Sequence, residues 1–203
     1  MKKLLLNPRK LTGEQMYDST RQLIKEEDIR KNQSTLTGAA GECYVMYRLL
    51  RMGYIAALAP KGVPNADIIV TDVDGELASA VQVKTKSQHN ANRGWHMKAK
   101  QEAVSSPNLY YCFVDDTVVP PVVFVMPSAV VADTIREAHR IWLNTAGRGG
   151  HVRKDNDIRW LLPDYSKTLP SDNEFTKTHG QGWLEQYREN WRLLNLEKLQ
   201  TPT

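Results

Sequence analysis

No apolar run in this sequence reaches the roughly 18 residues that a membrane-spanning helix needs, so none is expected. The opening MKKLLLNPRK makes a poor secretory leader, because its leucine triplet is followed at once by Asn7, Pro8 and Arg9. The chain therefore reads as a soluble cytoplasmic protein. Its two cysteines, Cys43 and Cys112, form no CxxC pair, which favours buried thiols over a zinc site or a disulfide. The five histidines have no HExxH or zinc-finger spacing, and Gly147, Gly149 and Gly150 lack the Lys-Ser/Thr of a P-loop. Ser105-Ser106 has no nucleophile-elbow context, and Asp72, Asp74 and Gly75 lack the remainder of a calcium loop.

With 41% hydrophobic residues in 203, the chain can build one globular core. The formal charge of +4 only permits a polyanionic partner, and its distribution is more informative. No acid occurs from Leu77 through Gln101, while Lys84, Lys86, Arg93, Lys98 and Lys100 all fall there, with His89, His96 and Trp95 among them. A solvated basic loop would explain such a run. Because it begins inside a strand, phosphate binding is the stronger reading, and Trp95 could stack on a base or anchor the loop.

Periodicity predicts a helix over residues 12–31, a break in KNQSTLTG, and a second helix over 37–52 with Val45, Met46, Leu49 and Leu50 on its apolar face and Gly53 as C-cap. YIAALA reads as a short strand, and NLYYCFVDD and PVVFVM as buried strands. A helix follows from Ser128, taken as N-cap, to about Asn144. After a glycine-rich loop come a strand at IRWLL, an irregular stretch over 163–180, and a last helix over 183–199. Leu184, Tyr187, Trp191 and Leu194 would line that helix, packing the end of the chain onto the core. The expected class is α/β with a mixed sheet of four to five strands flanked by helices. It divides into an N-terminal helical extension (1–36), a core (37–145) and a C-terminal extension (146–203).

One stretch does not fit a buried sheet. In ADIIVTDVDGELASAVQVKTK, two β-rich runs flank Asp74-Gly75, a signal for a tight two-residue turn with positive φ at both residues. That register sets Val73 against Glu76 and Asp67 against Gln82, with Lys84 on the same face two residues on. Ile68, Val70, Leu77, Val81 and Val83 take the opposite face. An unpaired buried charge costs several kcal/mol. The polar trio therefore needs solvent, an Asp67–Lys84 ion pair or a bound ion. Glu42, in TGAAGECYVMYRLLRMGY, adds a second carboxylate on the preceding helix, where small residues permit close approach to the sheet.

These residues resemble the PD-(D/E)xK nuclease superfamily: Glu42 in GAAGE on a helix, Asp67 entering a strand in NADIIV, and QVK at Gln82, Val83 and Lys84 on the paired strand. The resemblance covers roughly residues 37–130. It departs in two places, since Pro64 is not adjacent to Asp67, and Gln82 stands where an acid is usual. It implies a restriction-endonuclease-like core and metal-dependent hydrolysis of DNA, with RNA a further possibility. Mg²⁺, or Mn²⁺ in its place, would be held by Asp67, the Gln82 amide oxygen, the Val83 carbonyl and Glu42. Lys84 would orient water or offset developing charge, and Lys86, Arg93, Trp95, Lys98 and Lys100 would contact nucleic acid. Many enzymes of this kind act as homodimers. The alternative is a nuclease-like DNA-binding or regulatory protein without turnover, which the loss of charge at Gln82 favours.

Overall fold

A computed structural model describes residues 26–87 and 94–196. Helix α1 spans Glu26–Arg51, with strands β1 (Ile55–Leu58), β2 (Ile68–Thr71) and β3 (Ala78–Lys86) after it. Strand β4 (Trp95–Lys98) leads into a 3₁₀ turn over Ala99–Ala103, then β5 (Leu109–Asp115), β6 (Val122–Pro127) and helix α2 (Ser128–Asn144). A 3₁₀ turn (Arg148–Gly150), strand β7 (Ile158–Leu161), a short helix α3 (Glu174–Thr178) and two further 3₁₀ turns complete the order. The fold is α/β. A central five-stranded sheet, ordered β1-β2-β3-β5-β6, is flanked by helices, and β4 and β7 form a small second sheet. The central sheet is mixed, because β3 and β5 run parallel while its other neighbours are antiparallel.

Helix α1 is continuous through KNQSTLTG, where a break was expected. Ser34, Thr35 and Gly38 are weak helix formers, but Gly41, Val45 and Leu49 are buried against the sheet, and helix formation propagates outward from that anchored half. Leu50, expected on the apolar face, is instead 50% exposed. Gly53, with φ of 89°, ends the helix, and the Tyr54 N–H donates back to the Leu49 carbonyl. The expected helix over 12–31 lies outside the described residues except for its end, which belongs to α1.

Each face of the central sheet carries its own apolar layer. Val81 and Val83 of β3 join Ile68, Val70, Val45 and Leu49 under α1. On the other face Tyr111 and Phe113 pack with Trp95, Met97, Leu161 and the buried side of α2. Ser128 opens α2 but does not cap it: its hydroxyl donates to the Ser106 carbonyl and accepts the Ser106 N–H. The final helix expected over 183–199 does not form over its described part, 183–196. Trp183–Tyr187 and Trp191–Leu194 are separate 3₁₀ turns, broken at Glu189, whose φ is 50°. Strand β6 explains the break. The Glu189 N–H donates to the Val123 carbonyl and its carboxylate accepts the Val123 N–H, so this residue completes the hydrogen bonding of an edge strand instead of continuing a helix. Trp183 and Leu184 are buried in one apolar layer, Trp191 and Leu194 in the other.

Candidate active site

The hairpin keeps the register expected from sequence but reaches it through a different turn. Ile68 pairs with Val81 and Thr71 with Ala78. In the turn only Gly75 has positive φ, at 72°. The Gly75 N–H donates to the Asp72 carbonyl (3.2 Å), and the Asp72 carboxylate accepts the Leu77 N–H (3.0 Å). The Asp72 N–H also donates to the Leu77 carbonyl (3.1 Å), so four residues, Val73 to Glu76, form the loop beyond this last bonded pair, which leaves Asp74 in ordinary backbone space. A four-residue and a two-residue loop centred on Asp74-Gly75 give the same pairing, so the error in turn type did not shift the strands.

The register slips at Asp67. Ile68 is the ladder partner of Val81, yet the Asp67 N–H also bonds the Val81 carbonyl, at 2.8 Å. Two residues on one strand thus face one on the other, as in a bulge, and Asp67 is not strictly opposite Gln82. Its carboxylate nevertheless accepts hydrogen bonds from the Gln82 amide and, at 2.8 Å, from the Val83 N–H. Past the end of β2 the Asp67 side chain has taken over the ladder. Antiparallel pairing sends a residue's N–H and C=O to the same edge, so the Val83 carbonyl leaves on the side that Asp67 occupies.

Glu42 approaches this end of the hairpin from α1. It lies mid-helix, because α1 begins at Glu26 and not near residue 37 as expected. What brings it here is Gly41, where a Cβ would fall 1.9 Å from the Thr85 hydroxyl oxygen. The missing side chain seats α1 directly on β3. Burial raises the Glu42 carboxyl above its ordinary 4.5, the Asp67 charge raises it further, and Lys84 pulls it down. Burial likewise pushes the Lys84 ammonium below its ordinary value; Asp67 opposes that, Lys100 and Lys98 push the same way, and Glu42 opposes. These five charges form one interacting group. The ion pairs among the described residues do not include Asp67 with Lys84, whose partnership was the structural alternative.

Lys98 and Lys100 flank the start of the 3₁₀ turn and are exposed. Two residues assigned to nucleic-acid contact require correction. Lys86 is 7% exposed, pairs with Asp115 at 2.8 Å and sits 4.7 Å over the Trp95 ring, so its charge is already matched inside the protein. Trp95 is 1% exposed and donates its indole N–H to the Val114 carbonyl. It anchors the chain between β3 and β5 and offers no face to a base. Arg93 and His89 lie outside the described residues.

Sequence reasoning missed the residues that support this site. Tyr111 is the β5 neighbour of Gln82. Burial pushes its phenol up; the Gln101 side chain beside it, outside hydrogen-bonding geometry, acts oppositely, and the Asp67 charge adds to the rise. Gln101 is itself buried, and its side-chain oxygen accepts the Lys98 N–H at 2.8 Å. The turn is tied down on its far side by Glu102, which pairs with buried Arg159 of β7. Finding these contacts requires the parallel β3–β5 pairing and the β4–β7 sheet, neither of which has a local sequence signal.

Among the described residues no three His, Cys, Asp or Glu side chains converge as a metal site. The donors present are all oxygen: the Asp67 and Glu42 carboxylates, the Gln82 amide and the Val83 carbonyl. Two carboxylates close enough to raise the proton affinity of one of them suit a hard cation, with less charge than three acids would bring. No protein-family model matches the sequence. No curated protein matches it either. Among solved structures it is similar to a bacterial homing endonuclease, I-Ssp6803I, at 15% identity over 80% of this chain and 93% of that one, with a TM-score of 0.44. A likeness at that level does not say what the present chain does.

Proposed function

We propose that this chain is a metal-dependent nuclease of the PD-(D/E)xK type acting on DNA. The observation that carries the proposal is the convergence of Asp67, Gln82 and Lys84 with Glu42, Lys98 and Lys100 at one end of the hairpin, where Asp67 and Lys84 are not consumed by each other. Asp67, Gln82, Glu42 and the Val83 carbonyl would hold Mg²⁺, which supplies charge neutralisation at the phosphate and acidifies water. Lys98 and Lys100 bind phosphates on either side of the scissile one and position the strand without reading its sequence. Lys84, half-buried and with its proton affinity lowered, stands closest to the carboxylates. It orients the attacking water and faces the charge that grows on the phosphoryl oxygens. Gln82 steadies Asp67 by donating its amide to it, a role an acid could not fill.

The test is cleavage of labelled single-stranded, duplex and four-way-junction DNA with Mg²⁺ or Mn²⁺. The parent is expected to cut at least one of the three, and Asp67→Ala to cut none. A parent that binds DNA with steep salt dependence and cuts nothing would support the alternative, a nuclease-like binding protein, which the charge missing at Gln82 favours.

A further inference from the structure

A groove of about 620 Å³ runs from the Asp67–Gln82 end of the hairpin toward its turn, between the open face of β2–β3 and the segment after the 3₁₀ turn. Ala66 and Ala80 lie at the end next to Asp67 and Gln82, and Asn65, Ser105, Ser106 and Asn108 supply its polar rim. No charged residue lines it. This contrasts with the end of β4 and the 3₁₀ turn, where the charges of Lys98 and Lys100 act on Lys84. Cations thus gather near Lys84, while the groove itself offers amides, hydroxyls and apolar side chains.

The wall is fixed before any ligand arrives. The Asn108 carbonyl accepts the Ala80 N–H at 2.8 Å, which joins the wall to β3. The two Ser106–Ser128 bonds, both 2.9 Å, join it to α2. Across the groove Asn65 holds a left-handed backbone, with φ of 62°, two residues before Asp67. Asparagine tolerates that conformation better than most residues, and such outliers gather at functional sites. Among the described residues the side chains of Asn65, Ser105, Ser106 and Asn108 make no hydrogen bond within the protein.

We infer that this groove binds the base and sugar of an unpaired nucleotide adjacent to the phosphate held at Lys84. Its volume falls within the usual range for small-ligand sites. Its free amides and hydroxyls suit the hydrogen-bonding edge of a base, its alanines leave room for a flat ring, and its lack of cations excludes phosphate. A paired base cannot enter, so the strand must be single-stranded at that position. The inference rests on the reading that a nucleic-acid strand occupies the Asp67–Lys84 site.

Its test is equilibrium binding, by fluorescence anisotropy in EDTA, of short labelled single-stranded DNAs in which one abasic nucleotide is moved along the strand. Chelation prevents cutting whether or not the protein is a nuclease. At one position, loss of the base should weaken binding to the parent about fivefold or more, the worth of one or two neutral hydrogen bonds. Ser105→Trp, an exposed position that fills the groove, should abolish that difference, and Asn108→Ala should reduce it. A strand with no sensitive position, or a penalty unchanged in both variants, would overturn the inference. Cleavage by a parent without the base effect would remove this inference and leave the nuclease reading standing. The base effect in a protein that never cuts would do the reverse.

Discussion

Replacing Gly41 with alanine puts the seating of α1 on β3 to a quantitative test. A Cβ at this position would lie 1.9 Å from the Thr85 Oγ1, 3.0 Å from its Cβ and 3.2 Å from its Cγ2. Rotating the threonine does not relieve the contact, because all three atoms are close and one of them is fixed to the backbone. The helix must move, and overpacking of this kind costs about 1–3 kcal/mol. Against it stands the gain from alanine in a helix interior, about 1 kcal/mol. The net expectation is a loss of up to about 2 kcal/mol in urea denaturation, where a free helix position would gain. Gly38 serves as control: it lies in the same helix with nothing within 4 Å of its would-be Cβ. Gly38→Ala should therefore stabilise by about 0.5–1 kcal/mol. In a double-mutant cycle, Thr85→Ala should recover most of the Gly41→Ala loss. A Gly41→Ala protein stabilised as much as the Gly38→Ala control would refute the seating, and with it the explanation of how Glu42 reaches the hairpin.

Three further outcomes follow from the charges of the site. Lys84 is less basic in the folded chain than its ordinary 10.5, so the unfolded chain binds its proton more readily; the penalty is complete below the folded value and fades as pH rises toward 10.5. Lys84→Met should therefore raise the urea midpoint at neutral pH, by an amount that shrinks in alkali, whereas a structural Asp67–Lys84 pair would make it fall. Glu42 is shifted upward, so its ionised form is penalised in the folded state, a cost that appears as pH rises through 4.5 to the raised value and is complete above it. Glu42→Gln should be more stable than the parent at neutral pH and equal to it below 4.5, and Mg²⁺ should narrow the neutral difference by stabilising only the parent. Lys98→Ala and Lys100→Ala should each weaken DNA binding across sequences and lower the salt slope by about 1, measured by anisotropy; an unchanged slope would remove them from the phosphate contacts.

What could be seen in the sequence was whatever local chemistry determines. Asp74-Gly75 placed the centre of the hairpin correctly because the glycine must be there for the positive φ, whichever loop surrounds it. That centre alone put Asp67 near Gln82, though it gave no sign of the bulge at Asp67. The strands at Leu109–Asp115 and Val122–Pro127 were legible because they are buried on both faces. Long-range contacts defeated the local signals elsewhere. Serine and threonine in KNQSTLTG suggested a break that the anchored half of α1 overrides. The apolar spacing of Leu184, Tyr187, Trp191 and Leu194 suggested a helix, but Glu189 is taken up by the edge of β6. The basic run was legible as charge but not as exposure: Lys86 faces Asp115 across the parallel β3–β5 pairing, which the sequence does not announce.

The most direct measurement is the cleavage rate of Lys84→Ala beside that of the parent, with Mg²⁺ and the DNA form the parent prefers. Burial penalises the Lys84 charge, which the variant removes, so the variant is expected to unfold at no lower urea concentration than the parent, to bind DNA within a few-fold, and to lose cleavage by about a hundredfold or more, the scale of one lost electrostatic group at a reacting centre. Cleavage retained by a folded Lys84→Ala protein would contradict the assignment of catalysis to this end of the hairpin.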